Sequence, residues 1–149
     1  MRAVLTRVRW ARVSVAGEVI GAIDSGICAL VGVGQGDTEQ DALWIADKIC
    51  GCRFFRDDAD KMNRSLLDGH GSVLLISQFT LYGDLRRGNR PSFSSALAPD
   101  LAQPLFEQVR AQILSNGIAV QTGRFGADMA VESLNDGPVT LLLDSTKAF

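Results

Sequence analysis

The chain has 149 residues, of which 46% are hydrophobic and 21% are charged, and its formal net charge is -2. This balance excludes a disordered chain and predicts a single domain, residues 1–149, that buries its core without disulfides or metal ions. The acidic balance disfavours a protein that coats DNA or RNA through its overall charge. Arginines interrupt the apolar residues of the opening MRAVLTRVRWARVSV, so we expect neither a signal peptide nor a membrane span, and we predict a cytoplasmic protein.

Residues 3–33 contain short β-branched runs separated by turn residues. The runs are AVLTRV, ARVSV, EVIGAI and ICALVGV, with turns expected at residues 16–17 and 24–26. This pattern predicts about three strands in hairpin succession. The period then changes, because apolar residues recur at positions 42, 45, 46 and 49, and Asp37 precedes Gln40 at the spacing of a helix cap. We therefore predict an amphipathic helix of about 14 residues.

The second half of the chain begins with a short predicted strand, CRFFRD, and a polar loop or edge hairpin around residues 68–71, where His70 is expected in an exposed turn. The run SVLLISQF predicts a central strand buried on both faces. A second helix is expected from Pro99 to about Ser115, with Asn116-Gly117 as its end. Its predicted apolar face contains Leu101, Leu105, Val109 and Ile113. The segments IAVQT, MAVESL and VTLLL complete an α+β fold with an antiparallel or mixed sheet.

Most familiar catalytic and metal-binding motifs are missing from the sequence. There is one histidine, and we find no G-x-S-x-G, HExxH, P-loop or dinucleotide-binding motif. The three cysteines, with a C-x-C spacing, are interpreted as buried thiols, so no metal site is predicted. Hydrolysis by a catalytic triad is therefore not expected.

The stretch SQFTLYGD places polar groups at the end of the predicted central strand. In a continuing strand, Ser77 and Phe79 face one side while Gln78 and Thr80 face the other. If the strand ends near Phe79, main-chain N–H groups there can hold a carbonyl or a developing oxyanion. The alternative is a strand end whose polar side chains only form hydrogen bonds to the main chain.

A Gly-Pro pair, Gly137 and Pro138, lies between two strand-like segments in NDGPVT. Proline has no N–H group for a β-ladder, so the pair belongs at a bulge, an edge or a turn. An X-Pro bond can also be cis at modest cost. The sequence leaves open a plain turn and a special arrangement of the two carbonyl groups.

Taken together, SQFTLYGD, RPSF at residues 90–93, GRFGADMAVESLNDGPVT at residues 123–140 and the closing LLLDS resemble the D-aminoacyl-tRNA deacylase family. The opening MRAVLTRVRWARVSV is also similar, so the resemblance covers essentially the whole chain. It implies a barrel-like fold and a homodimeric hydrolase without cofactor. That enzyme cleaves the ester between a D-amino acid and the 3′-terminal adenosine of tRNA.

The resemblance also implies roles for particular residues. A cis Gly137-Pro138 pair from one subunit enters the active site of the other, rejects L-amino acids and admits glycine, so activity on glycine mischarged on tRNA(Ala) is expected. The reaction centre contains Ser77, Gln78, Phe79 and Thr80. Phe125, Met129 and Ala102 contact the adenosine, and Arg7 orients the Gly-Pro carbonyl groups. In the loop LRRGNR, the arginines Arg86, Arg87 and Arg90 are candidate tRNA contacts, with a solvated loop as the alternative.

Two mechanisms fit this resemblance: Thr80 as nucleophile, or attack by water assisted by the tRNA 2′-hydroxyl. The sequence favours water, because no base is evident near Thr80. A noncatalytic module that binds RNA ends and a purely structural dimer are the other two hypotheses for the chain.

Overall fold

The computed structural model describes residues 1–69 and 71–148, and the predicted turn at His70 lies outside them. The described residues form eight strands and two α-helices. Short 3₁₀ helices occupy Leu66–Asp68 and Phe79–Tyr82. In chain order the other elements are β1 (Arg2–Val15), β2 (Glu18–Ile23), β3 (Gly26–Gly32), α1 (Glu39–Gly51), β4 (Phe55–Arg56), β5 (Met62–Arg64), β6 (Ser72–Ser77), α2 (Pro99–Ser115), β7 (Val120–Thr122) and β8 (Ala130–Asp144).

The main sheet is mixed and nearly closes into a barrel. Its order is β2-β1-β3-β6-β7, and β8 pairs with β1. The pairs β3–β6 and β6–β7 are parallel and the pairs made by β1 are antiparallel. The two end strands approach each other, because a Cβ built on Gly21 of β2 would lie 2.7 Å from the carbonyl oxygen of Thr122 on β7. The predicted α+β fold class is thus confirmed.

The long strand β1 organises the sheet. Its first half pairs with β3 and its second half with β2, while β8 follows its length. The predicted succession of hairpins is therefore wrong after β2, because β3 pairs with β1 rather than with β2. The predicted turn at residues 16–17 does join β1 to β2, with Ala16 and Gly17 at positive φ.

The central strand β6 is buried from Val73 to Ile76 and lies between β3 and β7, as its apolar sequence predicted. The helices α1 and α2 pack against the sheet, where their buried side chains form one apolar core with residues of β1, β3 and β6. On α2 the buried residues are Ala102, Phe106, Val109 and Ile113, so Leu101, at 59% exposed, was wrongly assigned to the apolar face. The boundaries of α2 match the prediction because Pro99 and Asn116-Gly117 are strong local signals.

Two smaller predictions need correction. The cap of α1 is Thr38, whose N–H donates to the Asp41 carboxylate at 2.8 Å, while the Asp37 carboxylate accepts from the Gly34 N–H at 2.6 Å. The edge hairpin is formed by β4 and β5 and turns at residues 57–61, ahead of the predicted position.

The thiol prediction is confirmed for Cys28 and Cys50, which are buried and free, while Cys52 is half-buried. Burial raises the pKa of both buried thiols to about 11. Within residues 1–69 and 71–148, no group of His, Cys, Asp and Glu side chains could hold a metal ion. In the same residues, no helix has the length and apolar character needed to cross a membrane.

Candidate active site

The site begins where β6 ends. After Ser77 the chain leaves the ladder, the Gln78 N–H donates to the Val31 carbonyl at 2.8 Å, and a 3₁₀ helix follows at Phe79–Tyr82. The predicted alternation of faces is therefore wrong beyond Ser77, because a helical turn does not alternate side chains as a strand does. The Gln78 amide nitrogen instead donates to the Thr80 hydroxyl. This bond joins two side chains, whereas the alternative interpretation expected hydrogen bonds from the side chains to the main chain.

The N–H groups of Phe79 and Thr80 are the first donors of this 3₁₀ helix. The first N–H groups of a helix have no carbonyl partner within it. In the described part of the chain, neither N–H is bonded to another protein group. Free main-chain donors of this kind stabilise negative charge on an oxygen atom without a moving side chain. The end of β6 can therefore bind an oxyanion as well as form local side-chain contacts.

A cavity of about 620 Å³ opens beside the end of β6. This volume is typical of a small-molecule site. Its walls come from the end of β6, the first turn of α2 and the segment between β7 and β8. These elements bring together six of the site residues predicted from the sequence: Ser77, Gln78, Phe79, Ala102, Phe125 and Met129. Thr80, Arg7, Gly137 and Pro138 are not part of the cavity lining.

One wall of the cavity depends on a glycine. A Cβ built on Gly123 would overlap the sulfur of Met129, so a side chain at this position would push Met129 out of place. The Phe125 ring packs against the buried Phe106 of α2, with ring centroids 5.8 Å apart. These contacts fix the apolar wall on the side of α2.

Aromatic side chains also form the cavity rim. Phe79 is 57% exposed and its ring meets that of Phe93 edge to face, with centroids 5.1 Å apart. Phe93 lines the cavity but was not among the predicted site residues, although it belongs to the RPSF segment. The RPSF motif could therefore have identified Phe93 as a site residue.

The Gly-Pro pair lies in a loop that interrupts the pairing of β8 with β1. Val8 pairs with Asn135 and Thr6 with Thr140, so residues 136–139 leave the ladder opposite Arg7. We call residues 136–139 the Gly-Pro loop. The Gly137-Pro138 peptide bond is cis, and Gly137 has φ 135°. Both residues are exposed.

Arg7 anchors the start of the Gly-Pro loop. Its side chain is 4% exposed and donates to the carbonyls of Phe54 at 2.8 Å and Asp136 at 3.1 Å. The Asp136 carboxylate also pairs with Arg7 at 3.3 Å and with the exposed Arg9 at 3.1 Å. The contact of Arg7 is thus with the carbonyl that precedes Gly137. The parts played by Arg9 and Asp136 were missed, because they depend on the pairing of two strands far apart in the chain.

The arginine-rich loop is held at its base by an antiparallel bridge between Asp84 and Ser92. Arg86 binds the Asp84 carboxylate at 2.7 Å and lowers the pKa of that carboxyl group well below its usual range. Arg87 and Arg90 are exposed, with no ion pair to the described residues. Arg86 is thus partly neutralised, whereas the other two arginines are available to a ligand.

Sequence comparisons identify the family. A model of the D-Tyr-tRNA(Tyr) deacylase family matches residues 4–144. The chain belongs to this family. It is 54% identical to the D-aminoacyl-tRNA deacylase of Desulfitobacterium hafniense over 149 residues, covering 100% of both chains. It is also 54% identical to the D-aminoacyl-tRNA deacylase of Thermus aquaticus over 147 residues, covering 99% of this chain and 97% of the relative. The predicted family and enzyme class, a D-aminoacyl-tRNA deacylase, are confirmed.

Two solved structures share this fold. One, described as a c-Myc DNA Unwinding Element Binding Protein, is 36% identical with a TM-score of 0.90, and the match covers 97% of this chain and 98% of that one. The other, a probable eukaryotic D-amino acid tRNA deacylase, is 14% identical with a TM-score of 0.80, covering 95% and 97%. The second likeness concerns the fold alone.

Proposed function

We propose that the chain hydrolyses the ester of D-aminoacyl-tRNA to free D-amino acid and tRNA, and rejects L-aminoacyl-tRNA. The observation that carries this proposal is the apolar cavity of about 620 Å³ at the end of β6, which Phe79 lines, together with the N–H groups of Phe79 and Thr80, which are unpaired among the described residues. The cavity suits a terminal adenosine, and the N–H groups suit the oxygen of its ester carbonyl. Because aminoacyl-tRNA is the substrate, we place the reaction in the cytoplasm.

The adenosine occupies the side of the cavity formed by Ala102, Phe125 and Met129. Aromatic and sulfur-containing side chains bind nucleic acid bases by stacking, which needs little positive charge. This fits a chain whose net charge is -2. Arg87 and Arg90 then contact phosphates of the acceptor end, while Arg86 keeps its bond to Asp84.

The active unit is a homodimer in which the Gly-Pro loop of one subunit enters the cavity of the other. Gly137 and Pro138 are exposed and do not line the cavity of their own chain, which supports a role in the partner's cavity. The strand that carries them also exposes large apolar side chains, as expected of an interface. These are Val131 at 39%, Leu134 at 45%, Leu141 at 42% and Leu142 at 60%.

Stereoselectivity then follows from excluded space. Main-chain carbonyls of a rigid loop bind the substrate amino group and leave no room for an L side chain. Arg7 supports this loop by holding the Asp136 carbonyl. Glycine has no side chain to exclude, so the same site also deacylates glycine mischarged on tRNA(Ala).

Water is the nucleophile in the proposed reaction. The Thr80 hydroxyl accepts from the Gln78 amide, and in the described residues no basic side chain contacts it. A hydroxyl without a base is a weak nucleophile. The water oxygen attacks the ester carbonyl, the N–H groups of Phe79 and Thr80 hold the resulting oxyanion, and the bond to the ribose 3′-oxygen breaks. The adjacent tRNA 2′-hydroxyl assists by positioning the water and relaying its proton to the leaving oxygen.

Deacylation of matched D- and L-aminoacyl-tRNA tests the proposal. We expect the chain to release the D-amino acid at catalytic concentrations and to leave the L-ester intact. Gly137→Ala is the matched variant, because the added Cβ would lie 2.6 Å from a Val139 methyl group and must displace the loop. This variant should lose activity or selectivity. Measurement of molecular mass in solution should show that the wild-type chain is a dimer. A monomeric wild-type chain with full stereoselectivity would contradict the cross-subunit arrangement.

A noncatalytic nucleic-acid binding protein is the second candidate function. The 36% identical relative is described as a c-Myc DNA Unwinding Element Binding Protein, a name that denotes binding to DNA. The acidic balance of the chain, with a net charge of -2, gives such a function little electrostatic support. Binding to tRNA ends without any turnover of D-aminoacyl-tRNA would favour this second function.

A further inference from the structure

The side chain of Asn135, the residue before the Gly-Pro loop, binds the last residue of that loop. The Asn135 amide oxygen accepts from the Val139 N–H at 3.1 Å, and its amide nitrogen donates to the Thr140 hydroxyl at 3.3 Å. Because a main-chain N–H can only donate, the atom that faces Val139 must be the oxygen. The amide therefore joins the residue before the loop to the last loop residue and to the residue after it.

Strand pairing alone does not determine the position of this loop. On β1, Thr6 and Val8 are two residues apart, whereas their partners on β8, Thr140 and Asn135, are five residues apart. In the register of β8 against β1, residues 136–139 have no paired partners, so contacts at the two ends help to set their position. Arg7 supplies the contact at the start, through the Asp136 carbonyl.

We propose that Asn135 is a positioning residue that sets the direction of the Gly137 and Pro138 carbonyl groups, and hence the stereoselectivity of the reaction. This inference rests on the proposed function. The side chain of Asn135 closes the loop from outside, and the residue is exposed. Removal of an exposed side chain costs little stability. Its removal should therefore change selectivity far more than stability, in contrast to removal of the buried Arg7.

The conservative variant is Asn135→Asp. A carboxylate oxygen accepts from the Val139 N–H as the amide oxygen does, and the Thr140 hydroxyl can donate to the other oxygen. Asn135→Ala removes both contacts. Ser133→Ala, two residues earlier on the exposed part of β8, is the matched control, because among the described residues Ser133 pairs only through its main chain, with Ala11.

The experiment measures kcat/KM for D- and L-aminoacyl-tRNA, and the melting temperature, for the wild type and these variants. Loss of the two hydrogen bonds should lower the D-to-L ratio of Asn135→Ala by roughly five- to thirtyfold. Asn135→Asp should keep most of the ratio, and Ser133→Ala should match the wild type. The melting temperatures should remain within about 4 °C of one another.

A wild-type ratio in Asn135→Ala overturns the inference, and so does an Asn135→Asp variant as impaired as Asn135→Ala. A large fall in the melting temperature of Asn135→Ala also overturns the inference if no variant restores both the melting temperature and the D-to-L ratio. Asn135 would then act on stability. If the wild-type chain cleaves neither ester, the proposed function fails and the inference fails with it. A selective wild type beside an equally selective Asn135→Ala removes only the inference.

Discussion

Replacement of Arg7 by methionine tests how the Gly-Pro loop is anchored. Arg7→Met keeps an unbranched aliphatic stem but removes the guanidinium and its bonds to the carbonyls of Phe54, at 2.8 Å, and Asp136, at 3.1 Å. It also leaves the Asp136 carboxylate without its buried partner at 3.3 Å. The two lost hydrogen bonds come from a charged donor and are worth about 1.5–3 kcal/mol each, so their loss costs roughly 3–6 kcal/mol. For a chain of this size the melting temperature should then fall by roughly 6–24 °C.

Arg9 provides the matched control, because it pairs with the same carboxylate at 3.1 Å but is 71% exposed. An exposed ion pair contributes at most about 1 kcal/mol, so Arg9→Met should lower the melting temperature by no more than about 4 °C. Urea unfolding and calorimetry at pH 7 measure both variants. Equal, small effects would refute the reasoning, since burial would then give Arg7 no larger role than Arg9.

Three further predictions concern the site and the thiols. Thr80→Val should lose at most about tenfold in kcat, as expected for a lost hydrogen bond, whereas removal of a true nucleophile would cost several orders of magnitude in the same single-turnover assay. Arg87→Glu and Arg90→Glu should weaken tRNA binding and lower the slope of log affinity against log salt by about one per lost phosphate contact, and an unchanged slope would remove them from the interface. Because burial raises the pKa of Cys28 and Cys50 from 9.0 to about 11, folding should suppress their reaction with a disulfide reagent at pH 8. The free energy of unfolding should fall as pH rises from 9.0 towards about 11, since the unfolded chain ionises these thiols first; constant stability over that range would contradict the assignment.

Elements with strong local signals were predicted well from the sequence. The apolar run of β6 and the start of α2 at Pro99 are examples, because burial and chain stereochemistry at these positions leave few alternatives. Leu101 was misplaced because α2 packs through Ala102 and Phe106, a face one residue further along. The cap of α1 was also misplaced, since Asp37 binds the Gly34 N–H and the Tyr82 hydroxyl instead.

Strand pairing could not be derived from local patterns. The run ICALVGV predicted a strand correctly, but its partner is β1 rather than the adjacent β2. Likewise MAVESL and VTLLL were expected as separate strands and form one strand, β8, because both pair with β1 on either side of the Gly-Pro loop. Such pairing depends on burial and register across the whole sheet.

The same division applies within the candidate site. Asn135 and Thr140 are five residues apart in NDGPVT, and their side chains form a hydrogen bond. A local side-chain bond of this type can be inferred from sequence. Arg7 reaches Asp136 across 129 residues, and that contact requires the register of β1 against β8. The Gly-Pro loop therefore has one anchor that its own motif encodes and one that only the folded sheet supplies. Because the two anchors hold opposite ends of the loop, a substitution at either end should alter the direction of the Gly137 and Pro138 carbonyl groups, but only the buried anchor should also govern stability.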